Sequence, residues 1–137
     1  MTHDRTIWSL TGKDALSFLS EGDSWFQYPY PGIRDVIDHL SDSYPIQCRA
    51  LAGAPFEDMF AETRDLLAAI REFGPDGILL SGGGNDLLGN GRIRAYVDGW
   101  LPEKPVGDLL LPTIDRKIEF IVTLFDKLVA DALQAKP

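Results

Sequence analysis

Three short apolar runs, each followed by a turn that contains glycine, constrain the fold of this chain more than any other feature. The runs cover roughly residues 15–22, 46–52 and 77–81, and segments with the apolar spacing of helices lie between them. Strands that alternate with helices predict an α/β domain with a parallel sheet, because each crossover helix returns the chain in the same direction. We therefore expect one domain over residues 1–137.

The segments between and after the runs predict three helices. One begins after Pro31-Gly32 and reaches about residue 42, and a second has its apolar stripe at Met59, Thr63, Leu66, Leu67 and Ile70. Gly74-Pro75 should end the second helix, since glycine tolerates positive φ and proline cannot continue a helix. Thr113 is the predicted N-cap of a third helix, over about 114–132, whose broad apolar face must be buried.

A small polar motif follows each predicted strand. The motifs are Gly22-Asp23-Ser24, Gly53 and Gly83-Gly84-Asn85-Asp86. Because the carboxyl ends of parallel strands meet at one edge of a sheet, these motifs should lie together. Acyl transfer needs a hydroxyl that attacks and donors for the oxyanion. Ser24 is the candidate nucleophile, and the N–H groups of Ser24 and Gly53 with the Asn85 side-chain amide are candidate donors. The alternative is that Asp23-Ser24 only forms a turn.

In these motifs the chain resembles the SGNH (GDSL-type) hydrolases. Gly22-Asp23-Ser24 matches the first block of that family, Gly53 the second and Gly83-x-Asn85-Asp86 the third, over about residues 15–90. The resemblance implies a flavodoxin-like three-layer α/β/α fold. It also implies that Ser24 is the nucleophile and that Gly53 and Asn85 complete the oxyanion hole. The implied substrate is a small-molecule carboxylic ester or acetyl ester.

The fourth block of the family, Asp-x-x-His, does not occur in this sequence, which contains only His3 and His39. His3 lies in a polar stretch that we expect to be frayed. His39 should lie on the flank or the solvent side of a helix, with Asp35 at position i−4 as a surface partner. Without a general base the isolated chain should be a poor enzyme. It is then either the N-terminal part of an ester hydrolase, with a fold that is incomplete at its C-terminus, or a non-catalytic binding or assembly module.

The resemblance also predicts that the strand near 15–22 lies between the other two strands. The strand near 77–81 then becomes an edge without an internal lysine or proline to discourage pairing. We expect the chain to form a homo-oligomer or to dock with a complementary C-terminal segment.

Composition excludes several classes of partner. A net charge of −8 disfavours nucleic acid and anionic membranes. The glycine-rich turn at 81–85 lacks the residues of a phosphate-binding loop, and Asp23 with Asp86 would be too poor in ligands for a cation, so we expect no cofactor and no metal. Asp86 should instead cap the turn or helix after Asn85. The sequence shows no signal peptide or membrane span, which predicts a cytoplasmic location.

Three features allow more than one interpretation. Residues 87–113, rich in glycine and proline, form either a long loop that walls the site or a packed connector. The aromatic residues after Ser24 either line a pocket or belong to the core, and they are Trp25, Phe26, Tyr28 and Tyr30. Cys48, the only cysteine, is interpreted as a buried thiol in a strand rather than a reactive group.

Overall fold

The computed structural model describes residues 5–7, 16–97, 99 and 103–135. Four strands form one sheet in the order β1-β3-β2-β4. They are β1 Arg5–Ile7, β2 Phe18–Glu21, β3 Ile46–Cys48 and β4 Gly77–Leu80. Strand β2 pairs in parallel with β3 on one side and with β4 on the other, as predicted for the three apolar runs. The strands are shorter than predicted, because the chain turns away directly after Glu21, Cys48 and Leu80.

Strand β1 corrects the expectation of a purely parallel sheet. It pairs antiparallel with β3, with Arg5 opposite Cys48 and Ile7 opposite Ile46. The polar N-terminal sequence gave no strand pattern, and only pairing with the free edge of β3 makes these three residues a strand. The predicted frayed stretch around His3, and position 15 of the predicted first strand, lie outside the described residues.

Six α-helices and one 3₁₀ segment, Gly89–Ala95, accompany the sheet in the described part of the chain. The helices are α1 Val36–Leu40, α2 Phe56–Ala61, α3 Thr63–Phe73, α4 Gly84–Leu88, α5 Val106–Leu109 and α6 Thr113–Ala135. The predicted second helix is two helices, because Glu62 leaves helical geometry with ψ of 14°. Gly74 ends α3 with φ of 59°, as predicted. No helix among the described residues is long and apolar enough to cross a bilayer.

Helix α1 begins later than predicted, because Asp35 caps it. The Asp35 carboxylate accepts a hydrogen bond from the backbone N–H of Asp38 at 2.8 Å. The Asp38 carboxylate accepts one from the Asp35 N–H at 3.1 Å. This reciprocal capping satisfies two amides that a helix start otherwise leaves unpaired.

Two apolar clusters lie on opposite faces of the sheet, because alternate residues of each strand point in opposite directions. On one face, Leu19 and Ile78 belong to a cluster with α2, α3 and α6. On the other face, Phe18 and Leu79 pack against a smaller cluster that includes Ile37 of α1. Cys48 belongs to the smaller cluster. It is buried, as predicted, with its Sγ 3.6 Å from the carbonyl oxygen of Phe26.

The segment 87–113 has more regular structure than the predicted loop. It contains the end of α4, the 3₁₀ segment and α5, and Val97 forms an isolated antiparallel bridge with Leu110. The N–H of Leu111 also donates to the carbonyl of Tyr96 at 2.8 Å. Since Leu109 is buried, this part of the segment folds back on itself and packs, whereas Asn90 and Arg92 of the same segment line a cavity.

Candidate functional site

The three candidate site residues lie at the same end of the sheet, where the parallel strands have their carboxyl ends. Ser24 follows β2, Gly53 follows β3, and Asn85 follows β4, and these three parallel strands are neighbours. Two hydrogen bonds tie the turns together. The N–H of Leu51 donates to the carbonyl of Gly22 at 2.8 Å, and the Asn85 side-chain amide donates to the carbonyl of Ala54 at 3.1 Å.

The turn that carries Ser24 is held by Asp23, which is buried. The Ser81 hydroxyl donates to the Asp23 carboxylate at 2.8 Å, and the N–H of Trp25 donates to the same oxygen at 3.2 Å. Gly22 permits this close approach, because a Cβ at this position would collide with the Ser81 Oγ and with the ring of Phe26. Asp23 therefore joins the end of β2 to the end of β4.

Ser24 itself is half-buried, and its hydroxyl makes no hydrogen bond with another described residue. Neither histidine is established as its base. His39 lies exposed in the last turn of α1, as predicted, and His3 lies outside the described residues. The Asp35 carboxylate, the expected partner of His39, accepts hydrogen bonds from the backbone N–H groups of Asp38 and Tyr28.

Gly53 and Asn85 are close neighbours, since the Asn85 amide binds the carbonyl of the residue after Gly53. Gly53 has φ of 82°, a conformation that strains any residue with a Cβ, so the turn favours glycine. Only one of the two N–H groups of the Asn85 amide is needed for the bond to Ala54. The other N–H is the candidate oxyanion donor.

Asp86 does not cap its own helix, contrary to our prediction. Its fully buried carboxylate accepts hydrogen bonds from the backbone N–H groups of Phe56 at 2.6 Å and Glu57 at 3.3 Å. These amides open α2, which follows Pro55, and proline has no side-chain acceptor for them. Asp86 therefore fixes the start of α2 against the third sequence motif.

A cavity of about 580 Å³ opens beside Gly53, and neither Ser24 nor Asn85 lines it. The charged residues of its lining come from four regions of the chain and are Glu21, Arg49, Asp58, Glu62 and Arg92. Sequence reasoning did not find this cavity. Glu21 ends β2 and Arg49 follows β3, so two charged residues at the ends of neighbouring strands were the available signal.

Glu21 and Arg49 form an ion pair that is largely shielded from water. The Arg49 Nε lies 3.1 Å from a Glu21 carboxylate oxygen, and the two side chains are 19% and 14% exposed. The pKa of Glu21 is raised to about 7, mainly by burial and to a smaller extent by the Glu62 carboxylate, against the opposing effect of the Arg49 guanidinium. Near neutral pH, protonated and ionised Glu21 are therefore both populated.

No protein family model, curated protein or solved structure matches this chain. Among the described residues, no group of three or more histidine, cysteine, aspartate or glutamate side chains could hold a metal ion. Asp23 and Asp86, the two acidic residues of the sequence motifs, instead accept backbone and hydroxyl hydrogen bonds.

The aromatic residues after Ser24 divide between core and surface. Phe26 is buried and belongs to the cluster that contains α1. Trp25 is 70% exposed, and Tyr28 and Tyr30 are exposed with ring centroids 5.5 Å apart. The core interpretation therefore holds for Phe26, whereas the other three residues lie on the surface.

Proposed function

We propose that this chain is built as an ester hydrolase of the SGNH type, with Ser24 as nucleophile. The observation that carries the proposal is the position of the three residues, because Ser24, Gly53 and Asn85 each follow the carboxyl end of one of three neighbouring parallel strands. In this scheme the Ser24 Oγ attacks the ester carbonyl, the alcohol leaves with a proton, and water releases the acid from the acyl-serine. The N–H groups of Ser24 and Gly53 and the Asn85 amide stabilise the oxyanion.

The activity of the isolated chain should be very low. Loss of a triad base costs on the order of four to six powers of ten in kcat, and what survives comes from binding and the oxyanion donors. The flavodoxin-like arrangement of the family and a cytoplasmic location belong to the same proposal.

Hydrolysis of nitrophenyl acetate, together with labelling by a fluorophosphonate, tests the proposal. We expect slow labelling that Ser24→Ala abolishes and that Ser43→Ala, at an exposed serine, leaves intact. Fast hydrolysis that depends on Ser24 would reveal a base, and loss of that activity in His39→Ala would identify it. Labelling or hydrolysis that is the same in Ser24→Ala would overturn the assignment of the nucleophile.

A second candidate function, assembly, follows from the edge of β4. Within the described chain this strand pairs only with β2. The N–H groups of Gly77 and Ser81 donate toward β2, to Ser17 and Glu21, so odd-numbered residues face β2. In a strand the alternate residues face the other way. Ile78 and Leu80 therefore present their backbone N–H and C=O groups at the open edge.

The open edge is complementary to a second copy of itself. If two copies pair antiparallel with Ile78 opposite Leu80, each such pair exchanges two hydrogen bonds, which makes four in all. An apolar groove of about 220 Å³ borders the edge, and Val129 and Leu133 of α6 line it. Leu133 is 72% exposed, and the same pairing would bring the two grooves together. We propose that the assembly is a two-fold dimer through β4.

A further inference from the structure

The charged residues around the 580 Å³ cavity differ in depth. Glu21 and Arg49 form an inner wall that is mostly shielded from water, whereas Asp58 and Glu62 are exposed on the α2 side. Water and salt screen exposed charges far more strongly than buried ones. The charges of Glu21 and Arg49 are therefore the least screened of those that line the cavity.

Arg92 faces the same cavity from the 3₁₀ segment. It is half-buried and makes no ion pair or hydrogen bond with any other described residue. The two residues before it, Asn90 and Gly91, have φ of 54° and 75°. Asn90 is the one residue other than glycine with positive φ in the part of the chain that the structure describes. Glycine and asparagine are the residues that adopt this left-handed conformation most readily, so the two of them form the turn that leads into Arg92.

We propose that this cavity binds a small organic carboxylate between Arg92 and Arg49, with Glu21 as the internal competitor for Arg49. A guanidinium offers parallel N–H donors that match the two oxygens of a carboxylate. Arg92 has this capacity unused within the described part of the chain, and Arg49 gains it when Glu21 is protonated. Binding does not require Ser24 to react, so this site is a function beyond the proposed hydrolysis.

The pH dependence of binding follows from Glu21 and the other charged groups that line the cavity. The cations are Arg49 and Arg92, and the carboxylates are Asp58 and Glu62. When pH falls through the pKa of Glu21, protonation neutralises its carboxylate. The net charge of the cavity then rises by one, and Arg49 loses its anionic partner. Carboxylate binding should therefore be tighter at about pH 6 than at about pH 8.

Titration of the full chain with butyrate, followed by amide NMR shifts at constant ionic strength, tests the proposal. We expect saturable shifts of the amides near Gly53 and Arg92 at millimolar butyrate, with a lower dissociation constant at the lower pH. Butylamine should give no shifts of this size. Arg92→Gln should weaken binding about tenfold, whereas Arg64→Gln, at an exposed arginine of α3, should leave it unchanged.

Two further variants separate the role of Glu21 in binding from that of Ser24. Glu21→Gln should bind butyrate with the same affinity at both pH values, equal to that of the parent chain at the lower pH. Ser24→Ala should bind butyrate like the parent chain. The carboxylate site is overturned if butyrate gives no saturable shifts up to roughly 50 mM. It is also overturned if Arg92→Gln binds as tightly as the parent while its spectrum stays folded, or if butylamine binds more tightly than butyrate.

Discussion

The carboxylate of Asp86 lies 2.6 Å from the backbone nitrogen of Phe56, a residue 30 positions earlier in the sequence. This hydrogen bond places a buried negative charge at the first turn of α2, where unpaired N–H groups and the helix dipole stabilise it. Asn85 lies in the same turn of α4, so one short segment both caps the start of α2 and presents a candidate oxyanion donor.

Asp86→Ala should destabilise the fold by about 2–4 kcal/mol, because it leaves two amides at the start of α2 without their acceptor. Asp86→Asn keeps one acceptor oxygen and should cost less. Chemical denaturation measures both changes, with Glu72→Ala, at an exposed position of α3, as the control. A loss below about 0.5 kcal/mol for Asp86→Ala would contradict the capping role.

Ser20, within β2, and Ser81, directly after β4, should respond differently to replacement by alanine. Ser20 is fully buried, and its hydroxyl has no hydrogen-bond partner in the described chain. Ser20→Ala should therefore either leave the stability of the fold unchanged or raise it by up to about 1 kcal/mol. Ser81→Ala removes the donor to buried Asp23 and should cost about 1–3 kcal/mol. Thermal unfolding of the two variants measures the difference. Equal losses in both would show that the Ser20 hydroxyl has an acceptor.

Glu21 should make the fold less stable as pH rises. Its pKa is raised from 4.5 to about 7 in the folded chain, so between these values the folded state binds more protons than the unfolded state. The free energy of unfolding then falls as pH rises through that window, by an amount on the order of 2 kcal/mol. Denaturant titrations across the window measure this slope, and Glu21→Gln should remove it. A parent chain that becomes more stable over the same window would contradict the direction of the shift.

The β4 edge should make the chain dimeric at micromolar concentration. Light scattering after size-exclusion chromatography measures the mass, and Leu133→Lys should shift the population to monomer, because it places a charge in the apolar groove. Val122→Lys, at another exposed apolar residue of α6, is the matched control. A monodisperse monomer of the parent chain contradicts the dimer. If the parent chain stays monomeric and binds only a separate C-terminal segment, that segment and not a second copy occupies the β4 edge.

Much of the sheet could be predicted from local patterns, because the apolar runs and glycine turns that define β2, β3 and β4 are each contained in a few residues. Gly74 ended its helix as expected for the same reason. Strand β1 was not predictable, since three residues with no strand pattern of their own become a strand only through the edge of β3. The role of Asp86 depends on an amide 30 positions away, a pairing that no local pattern in the sequence encodes.

The candidate site divides in the same way. Ser24, Gly53 and Asn85 could be proposed because each follows a strand, whereas the cavity residues come from separate segments. Glu21 and Arg49 carried a recognisable signal at two strand ends. Arg92 carried none, because its position depends on the left-handed backbone of Asn90 and Gly91.

The pairing of β2 with β4 has a consequence for synthesis of the chain. Ser17, beside β2, hydrogen-bonds to Asp76, 59 positions later, so the central strand is made long before its second neighbour. At about 5–20 residues per second, ribosomes need roughly 3–12 s to cover this interval. Throughout that time β2 lacks its β4 partner, and until Ile46–Cys48 has been made it lacks β3 as well. A chaperone that binds apolar strands therefore has its opportunity before Gly77–Leu80 emerges, and slower translation of residues 22–76 would lengthen it.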